Sequence, residues 1–441
     1  MELAVIGAGY VGAVTAVCLA DRGHTVSLVE IAGARLAEYE GGRVPFYEPG
    51  LDDLFGKVLA SGRLHVTNDG RSAVASSELV LVCVGTPLSS DGEPDLRQVE
   101  TACRTIGESA NKPIVVVRST LPMGATPRLA EWLGRASLEG VVTNPEFLAQ
   151  GSAIRDFTAP TRIVIGTVDG EPSRAAARVD ELYAGMEAPR IVTDFASAEM
   201  IKNVANGFLA TKLSFINEVA DLCEAYGADV EAVVRGIGLD PRIGSGYLRP
   251  GIGFGGSCLP KELANLVRLG QSRGLPMRMF GAAGAANDGR AGAIAERLER
   301  VFGPLDGRRI AMLGLAFKAD TDDTRYSPAV GLARELMARG ANVVAHDPAV
   351  PLSVSAMISG LQRAETVEAA FAGADLAILA TDWPEYRSLD WVRLGGIVRS
   401  RIIFDGRNAL DAAALRNVGW WVVRIGSTMS APTDRVGAEL A

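Results

Sequence analysis

A chain of 441 residues is long enough for two or three domains, and its composition, 48% hydrophobic and 22% charged, is typical of a globular protein. A net charge of −8 without a polybasic run argues against nucleic acid or a membrane surface as a partner. No apolar run reaches the roughly 18 residues of a membrane span, and no leader pattern precedes the first strand, so we expect a cytoplasmic protein. The scarcity of histidine and the lack of a CxxC pair predict no metal site.

The N-terminal part of the chain predicts a parallel sheet. LAVIGAGYVGAVTAVCLADRGHTVSLVE indicates a strand, a glycine turn, a helix and a second strand. Strand-like runs follow at LVLVCVGTP, PIVVVRST, GVVTNPE and RIVIGT, and helix-length stretches separate them. This alternation is typical of a doubly wound α/β fold, so we expect a Rossmann-like domain over residues 1–190.

The turn GAGYVG follows a strand and opens a helix, as in dinucleotide-binding proteins. The second strand ends in Glu30, about 20 residues further on, where a carboxylate can accept from both ribose hydroxyls and repel a 2′-phosphate. We therefore predict an NAD site rather than an NADP site or a merely structural turn. The turn residues assigned to it are Gly7, Gly9, Tyr10, Val11 and Gly12.

From Ser197 to Gly227 the apolar residues follow one long helical period without a proline. At ~1.5 Å per residue this helix spans roughly 45 Å, so we expect it to connect two domains and to pack in a dimer interface. An internal helix of one larger domain is the alternative. The predicted apolar stripe comprises Ile201, Val204, Phe208, Phe215, Val219 and Leu222.

A second α/β pattern occupies the C-terminal third, with strand-like runs in RRIAMLGLAF, ANVVAHDP, LAILATDW, RIIFDGRN and WWVVRIG. It lacks the GxGxxG turn, so it is not expected to hold a dinucleotide in the same way. The fold class is thus α/β, with two Rossmann-like parallel-sheet domains, residues 1–190 and 303–441, joined by a long central helix and a helical dimerisation domain, residues 191–302. Residues after Gly426 predict a loose tail.

The segment GFGGSCLPKE places Cys258 after three glycines and before Pro260. Proline suits the first turn of a helix, so we expect Cys258 at a helix N-terminus, where the dipole and Lys261 favour the thiolate. A buried structural thiol is the alternative. The other four cysteines lie in apolar periodic segments and predict core positions; they are Cys18, Cys83, Cys103 and Cys223.

Two further polar groups are candidates for catalysis. Lys202 and Asn206 are four residues apart on the long helix and share a face outside the apolar stripe, so they form either a solvated surface pair or a pair that stabilises an oxyanion. Glu146, in TNPEF, follows a strand at the edge where α/β sheets bind ligands, and is otherwise an ordinary loop acid.

Taken in order, the motifs GAGYVG, FYEPGL, VGTP, RSTLPMGAT, NPEFLAQGSAIRDF, SAEMIKNVANGFLATKLSF, RIGSGYLRPGIGFGGSC, LGLAFKADTDDTR and FDGRN resemble the UDP-glucose/GDP-mannose 6-dehydrogenase superfamily over nearly the whole chain. The resemblance implies a four-electron oxidation of a nucleotide-sugar primary alcohol to the acid, with two NAD and a thiohemiacetal and thioester on Cys258. It also implies that Lys202 and Asn206 steady the C6 oxygen, that Glu146 assists thioester hydrolysis, and that Thr120 and Glu262 hold or activate a water.

The resemblance further assigns binding residues. Those expected near NAD, besides the glycine turn, are Glu30, Arg35, Thr86, Thr120, Gln150 and Arg325. Those expected near the nucleotide sugar, besides Lys202 and Asn206, are Phe147, Leu148, Arg242, Tyr247, Arg249, Phe254, Gly255, Phe317, Lys318 and Arg407. In relatives the residue that matches Arg242 can come from the neighbouring subunit, which makes a homodimer or a higher homo-oligomer functional.

Four positions depart from the family pattern: Gln150 and Tyr326 replace glutamates, Glu262 replaces an aspartate, and Ala32 replaces an acid. We expect activity to persist, because none of these changes removes the nucleophile. The expected substrate is UDP-glucose or dTDP-glucose, and the alternatives are GDP-mannose or a UDP-N-acetylhexosamine. A two-electron hydroxyacid dehydrogenase and a nucleotide-sugar-binding protein without turnover are the other functions considered.

Overall fold

The computed structural model describes residues 1–87, 89, 94–353 and 358–427. The chain divides into two compact units, Met1–Ala205 and Asn206–Ala441. In the described residues no helix is both long enough and apolar enough to cross a membrane. The predicted tail lies almost wholly outside them. The three-domain division at residues 190/191 and 302/303 stays a prediction.

The first unit is an eight-stranded sheet flanked by helices. Its elements are β1 (Glu2–Ile6), α1 (Tyr10–Asp21), β2 (Thr25–Val29), α2 (Gly33–Glu40), α3 (Leu51–Ala60), β3 (Leu64–Thr67), α4 (Gly70–Ala75), β4 (Leu79–Val82), α5 (Arg97–Gly107), β5 (Ile114–Val117), α6 (Arg128–Trp132), β6 (Val141–Thr143), α7 (Ala153–Thr158), β7 (Ile163–Thr167), α8 (Arg174–Asp180), a 3₁₀ turn (Glu181–Tyr183) and β8 (Arg190–Asp194).

The strand order is β3-β2-β1-β4-β5-β6-β7-β8, which confirms the predicted doubly wound α/β fold. One pairing differs from the prediction, because β6 and β7 are antiparallel where Thr143 faces Gly166. The central strands were predictable because both faces of a parallel sheet are buried, which gives continuous apolar runs. The edge strands β3 and β8 are partly exposed and lack such runs, so the sequence analysis missed them.

The long helix α9 (Phe195–Tyr226) has 32 residues, and it starts and ends within two residues of the prediction. It begins in the first unit and ends in the second. The elements that follow are α10 (Val230–Gly238), α11 (Leu259–Gln271), α12 (Arg278–Phe302), β9 (Arg309–Leu313), α13 (Pro328–Ala338), β10 (Asn342–His346), β11 (Gln362–Arg363), α14 (Val367–Phe371), β12 (Leu376–Leu379), α15 (Pro384–Arg387), α16 (Trp391–Gly395), β13 (Ile402–Asp405), α17 (Ala412–Asn417) and β14 (Trp421–Arg424).

The second sheet has the order β11-β10-β9-β12-β13-β14, and its strand pairs are parallel. This repeats the order β3-β2-β1-β4-β5 of the first sheet, which confirms the second Rossmann-like pattern. Asp347 follows β10 as Glu30 follows β2, but its Oδ2 accepts hydrogen bonds from the backbone amides of Leu315 (2.7 Å) and Ala316 (3.0 Å) after β9. In this second sheet, a carboxylate of the protein therefore accepts from the amides that would face a phosphate in a dinucleotide-binding turn.

Candidate active site

The glycine turn at the N-terminus of α1 leaves room for a ligand. Gly7 has φ +99°, and a Cβ there would lie 2.9 Å from the carbonyl oxygen of Cys83. A Cβ on Gly12 would clash with the carbonyl of Gly7, so the strand and the helix pack closely. A Cβ on Gly9, the N-cap residue, would meet nothing within 4 Å. Gly7 and Gly12 are thus required by the turn itself, whereas Gly9 is open to an approaching pyrophosphate.

Glu30, the carboxylate expected at the ribose, is held in place by two hydrogen bonds. It is 5% exposed, and its carboxylate accepts hydrogen bonds from the backbone amide of Ala32 (2.8 Å) and from Arg35 Nη1 (3.1 Å). The amide of residue 32 makes this contact whatever its side chain, so the departure at Ala32 leaves Glu30 anchored.

Thr86 and Thr120 join two loops at the carboxyl end of the sheet. The Thr86 hydroxyl donates to the carbonyl of Thr120 at 3.0 Å. These loops follow β4 and β5, and β4 lies beside β1, where the strand order reverses. Ligands of doubly wound sheets bind at such a reversal, which agrees with the position expected for both threonines.

Lys202 and Glu146 form a buried ion pair. Lys202 Nζ lies 3.1 Å from Glu146 Oε1, and the two residues are 5% and 6% exposed. The other carboxylate oxygen of Glu146 accepts from the amide of Leu148 at 2.6 Å. The ring of Phe147, the next residue in the chain after Glu146, is close to two cations. The Arg162 guanidinium lies 3.6 Å from the ring centroid, and Lys202 Nζ lies 5.4 Å from it. Burial contradicts the alternative that Lys202 is a solvated surface residue.

Asn206 lies one turn after Lys202 on α9 and is 9% exposed. Among the described residues no hydrogen-bond partner reaches its buried Nδ2. A buried amide donor left without a partner is costly, so this atom is suited to a ligand oxygen.

Cys258 is exposed and is the N-cap residue of the 13-residue helix α11, with Pro260 in the first turn. This confirms the position predicted from the sequence and contradicts the buried-thiol alternative. Glu262, buried, donates its backbone amide to the Cys258 carbonyl at 2.9 Å, and its carboxylate lies 3.2 Å from Lys261 Nζ. The helix dipole thus favours a thiolate at this position.

The glycines before Cys258 hold that loop against the segment that follows β9. A Cβ on Gly255 would clash with the carbonyl of Tyr326, and a Cβ on Gly256, at φ +79°, would lie 2.8 Å from the Phe317 ring. Only glycine fits these contacts. The hydrogen bond to Asp323 raises the pKa of Arg325, and Cys258 makes a smaller electrostatic contribution to that rise.

The remaining residues of the second unit that are expected near the nucleotide sugar include three arginines, each of which has a protein partner. Arg407 donates to the carbonyls of Ala380 (2.7 Å), Phe317 (3.1 Å) and Gly253 (3.4 Å), so its guanidinium fastens loops, and burial lowers its pKa. Arg249 pairs with Asp382 at 3.0 Å. The other members of the set are Arg242, exposed and paired with Asp240; Tyr247, at φ +60°; Phe254, buried; and Lys318, beside Phe317.

Family models match the chain in three consecutive segments. They describe the NAD binding domain (residues 1–187), the central domain (196–289) and the UDP binding domain (311–412) of the UDP-glucose/GDP-mannose dehydrogenase family. The chain belongs to this family. Its NAD-binding segment carries the glycine turn and Glu30, its central segment carries Lys202, Asn206 and Cys258, and its UDP-binding segment carries Phe317 and Arg407.

Two curated relatives are similar over almost their whole length. UDP-glucose 6-dehydrogenase TuaD of Bacillus subtilis is 40% identical over 96% of this chain and 93% of its own, and UDP-glucose 6-dehydrogenase of Rhizobium meliloti is 41% identical over 97% and 99%. A solved UDP-glucose dehydrogenase of Pyrobaculum islandicum superposes with a TM-score of 0.86 at 38% identity, covering 97% of this chain and 98% of that one.

Sequence reasoning missed two acids that organise the family's NAD-binding segment. Glu199 is buried on α9 and accepts from the Gly124 amide (3.1 Å) and the Thr126 hydroxyl, which holds the loop that follows Thr120. Glu48, in FYEPGL, accepts from two amides near Gln150. The motif signal for both was present, but their partners lie about 75 and 100 residues away.

Proposed function

We propose that this chain is an NAD-dependent UDP-glucose 6-dehydrogenase, which oxidises the C6 alcohol of the nucleotide sugar to the uronic acid. The observation that carries the proposal is the exposed Cys258 at the N-terminus of α11, in a member of a dehydrogenase family that also holds a buried ion pair between Glu146 of the NAD-binding segment and Lys202 of the central segment. Two curated relatives that match over nearly the full chain are named for this activity.

The NAD-binding segment fits its cofactor. The open backbone at Gly9 suits the pyrophosphate, and the anchored carboxylate of Glu30 suits the two ribose hydroxyls. Bound NAD supplies the hydride acceptor for both oxidations. Gln150 is proposed at the nicotinamide amide, where a neutral side chain still donates and accepts.

The proposed chemistry uses the polar groups already described. Lys202 and the unpartnered amide of Asn206 donate to the oxygen on C6, which stabilises its negative charge. The first oxidation removes a hydride from C6 and the proton of its hydroxyl, which gives the aldehyde. The Cys258 thiolate then adds to C6 and gives a thiohemiacetal, and the second oxidation leaves a thioester. Glu146 takes a proton from the water that breaks the carbon–sulfur bond, and Thr120 and Glu262 hold that water. One alcohol, one water and two NAD⁺ give one carboxylate, two NADH and three protons.

The UDP moiety is assigned to the UDP-binding segment and its neighbours. Its diphosphate needs local cations in a chain of net charge −8, and Lys318, Arg249 and Arg407 are the proposed sources. Phe147, Leu148, Phe254 and Phe317 are proposed to contact the sugar or the base.

We also propose a homodimer built on α9. Val204, Phe208, Phe215 and Leu222 fall within about 40° of arc at ~100° per residue, and they are 38%, 59%, 49% and 58% exposed. The buried residues of the helix lie on its other face, so this stripe is left for a second copy. Light scattering of Phe215→Glu should give a monomer. Val392 is an apolar residue that lies outside α9 and is 66% exposed, so Val392→Glu should leave the dimer intact.

A cytoplasmic location is proposed because a thiolate nucleophile needs a reducing compartment.

The decisive experiment counts NADH per substrate in a panel of UDP-glucose, dTDP-glucose, GDP-mannose and a UDP-N-acetylhexosamine. We expect two NADH per UDP-glucose and no complete turnover by Cys258→Ser. One NADH per substrate and no dependence on Cys258 would indicate a two-electron dehydrogenase. Tight binding without NADH release would indicate a binding protein.

A further inference from the structure

One buried carboxylate joins three motifs that are far apart in the sequence. Glu48, of FYEPGL, is 6% exposed. Its Oε2 accepts hydrogen bonds from the hydroxyl of Tyr10, of GAGYVG, and from the backbone amide of Gly151 at 2.6 Å. Its Oε1 accepts from the amide of Ala153 at 2.8 Å. Gly151 and Ala153 end the segment NPEFLAQGSA, so both oxygens of Glu48 are engaged by it.

Four backbone amides of that segment donate to three carboxylates, and Glu48 takes two of the four. Glu146 accepts from the Leu148 amide at 2.6 Å, and Asp156 accepts from the Ala149 amide at 3.0 Å. These two acids belong to the segment itself or to the helix α7 that follows it. Glu48 lies 103 residues before Gly151, so it fastens the segment to another part of the unit.

The other end of this link is the first helical residue of the dinucleotide turn. Tyr10 begins α1, and its ring packs against Phe46 with the centroids 5.1 Å apart. Burial, followed by the hydrogen bond with Glu48, raises the pKa of Tyr10. The hydroxyl therefore keeps its proton and donates to Glu48 at any neutral pH.

We infer that Glu48 is a positioning residue, which ties the loop that carries Phe147, Leu148 and Gln150 to the first turn of α1. The cofactor turn and the loop assigned to the nicotinamide and the sugar are thereby held in one register. The role of the loop rests on the proposed function, whereas the tie itself rests on the hydrogen bonds alone. Tyr10 then serves the cofactor through Glu48 rather than by contact of its hydroxyl.

Two substitutions separate the ends of the tie. Tyr10→Phe removes one donor and leaves the two amides on Glu48. Glu48→Gln keeps the volume of the side chain but replaces one of the two acceptor oxygens with an NH₂ group. That group cannot accept, so the hydrogen bonds made to the replaced oxygen are lost. Tyr386→Phe is the matched control, because Tyr386 is also buried and donates to a backbone carbonyl, that of His346, in the second unit.

The first readout is amide hydrogen exchange of the full-length protein, which requires no turnover. We expect the peptide that covers residues 147–153 to exchange about tenfold faster in Tyr10→Phe and Glu48→Gln, with β7 unchanged. Tyr386→Phe should leave the loop unchanged. Equal acceleration in the loop and in β7, or no acceleration in the loop, would overturn the inference in favour of general stability.

The second readout is the equilibrium binding of NADH, followed by steady-state kinetics. NADH should bind several-fold more weakly in both variants, and the double variant should match Glu48→Gln alone, because both changes break the same link. Full addition of the two effects would contradict a common role. If the wild-type protein binds NADH but oxidises no nucleotide sugar, the proposed function fails while exchange and NADH binding still decide the role of Glu48.

Discussion

Lys202 Nζ lies 3.1 Å from Glu146 Oε1, with both side chains buried. Removing one charge of such a pair leaves the other without compensation, which costs about 3–5 kcal/mol. We expect Glu146→Gln to lose as much as that in the free energy of unfolding and about a hundredfold in kcat. Mass spectrometry of acid-quenched turnover should show the acyl group accumulating on Cys258.

The double variant Lys202→Met with Glu146→Leu replaces both members of the ion pair, so it tests whether the lost stability of Glu146→Gln comes from an uncompensated buried charge. Because it buries no ion, its stability in urea should recover relative to Glu146→Gln, while its turnover stays lost. A double variant as unstable as the sum of the single changes would show that the pair acts through packing instead.

Selective alkylation should identify Cys258 as the reactive thiol. Burial raises the pKa of Cys18, Cys83 and Cys103 to about 12, and it also raises that of Cys223. Iodoacetamide near neutral pH should therefore modify Cys258 first, since only a thiolate reacts. Peptide mass spectrometry checks the order, and a variant with Cys258→Ala should take up almost no label in the same time.

The choice between NAD and NADP should depend on Glu30. Glu30→Gln keeps the contact with the Ala32 amide but removes the charge that repels a 2′-phosphate, and it releases Arg35 to bind that phosphate. We expect the ratio of kcat/KM for NADP to that for NAD to rise at least about tenfold. The gain should disappear when Arg35→Ala is added. An unchanged ratio would remove Glu30 from the ribose site.

Elements with local signals were predictable and tertiary contacts were not. The apolar runs of β1, β4 and β5 marked buried parallel strands, and Pro260 marked the start of α11 with Cys258 before it. The acids Glu48 and Glu199 bond to groups about 100 and 75 residues away, and nothing in a local pattern indicates such a partner.

The same limit applies to the edges of the sheets and to the basic residues. β3 and β8 were missed because an edge strand needs no continuous apolar run. Arg407 was assigned to the nucleotide sugar by resemblance, and the structure adds that its guanidinium holds the carbonyls of Phe317 and Gly253.

Gly255 should tolerate no side chain. A Cβ there would clash with the carbonyl of Tyr326, and backbone cannot move aside cheaply. We expect Gly255→Ala to lower kcat/KM at least about a hundredfold or to destabilise the chain by about 2 kcal/mol. Gly246→Ala, where a Cβ meets nothing within 4 Å, is the control and should stay within about 0.5 kcal/mol of the wild type in a urea titration.

The carboxylate of Glu199 makes stability depend on pH. It is 5% exposed and accepts from the Gly124 amide and the Thr126 hydroxyl, and burial raises its pKa above the ordinary glutamate value of 4.5. The folded chain thus binds this proton more tightly than the unfolded chain does, so the contribution of the carboxyl to stability is largest at low pH and falls as pH rises through the raised pKa. Glu199→Gln lacks this titration.

Urea unfolding from about pH 4.5 to 8 should therefore show the wild type losing stability relative to Glu199→Gln as pH rises. The exposed Glu187→Gln controls for the loss of a surface carboxylate. A difference between wild type and Glu199→Gln that stays constant, or that grows in favour of the wild type at high pH, would contradict the buried, proton-favouring setting of Glu199.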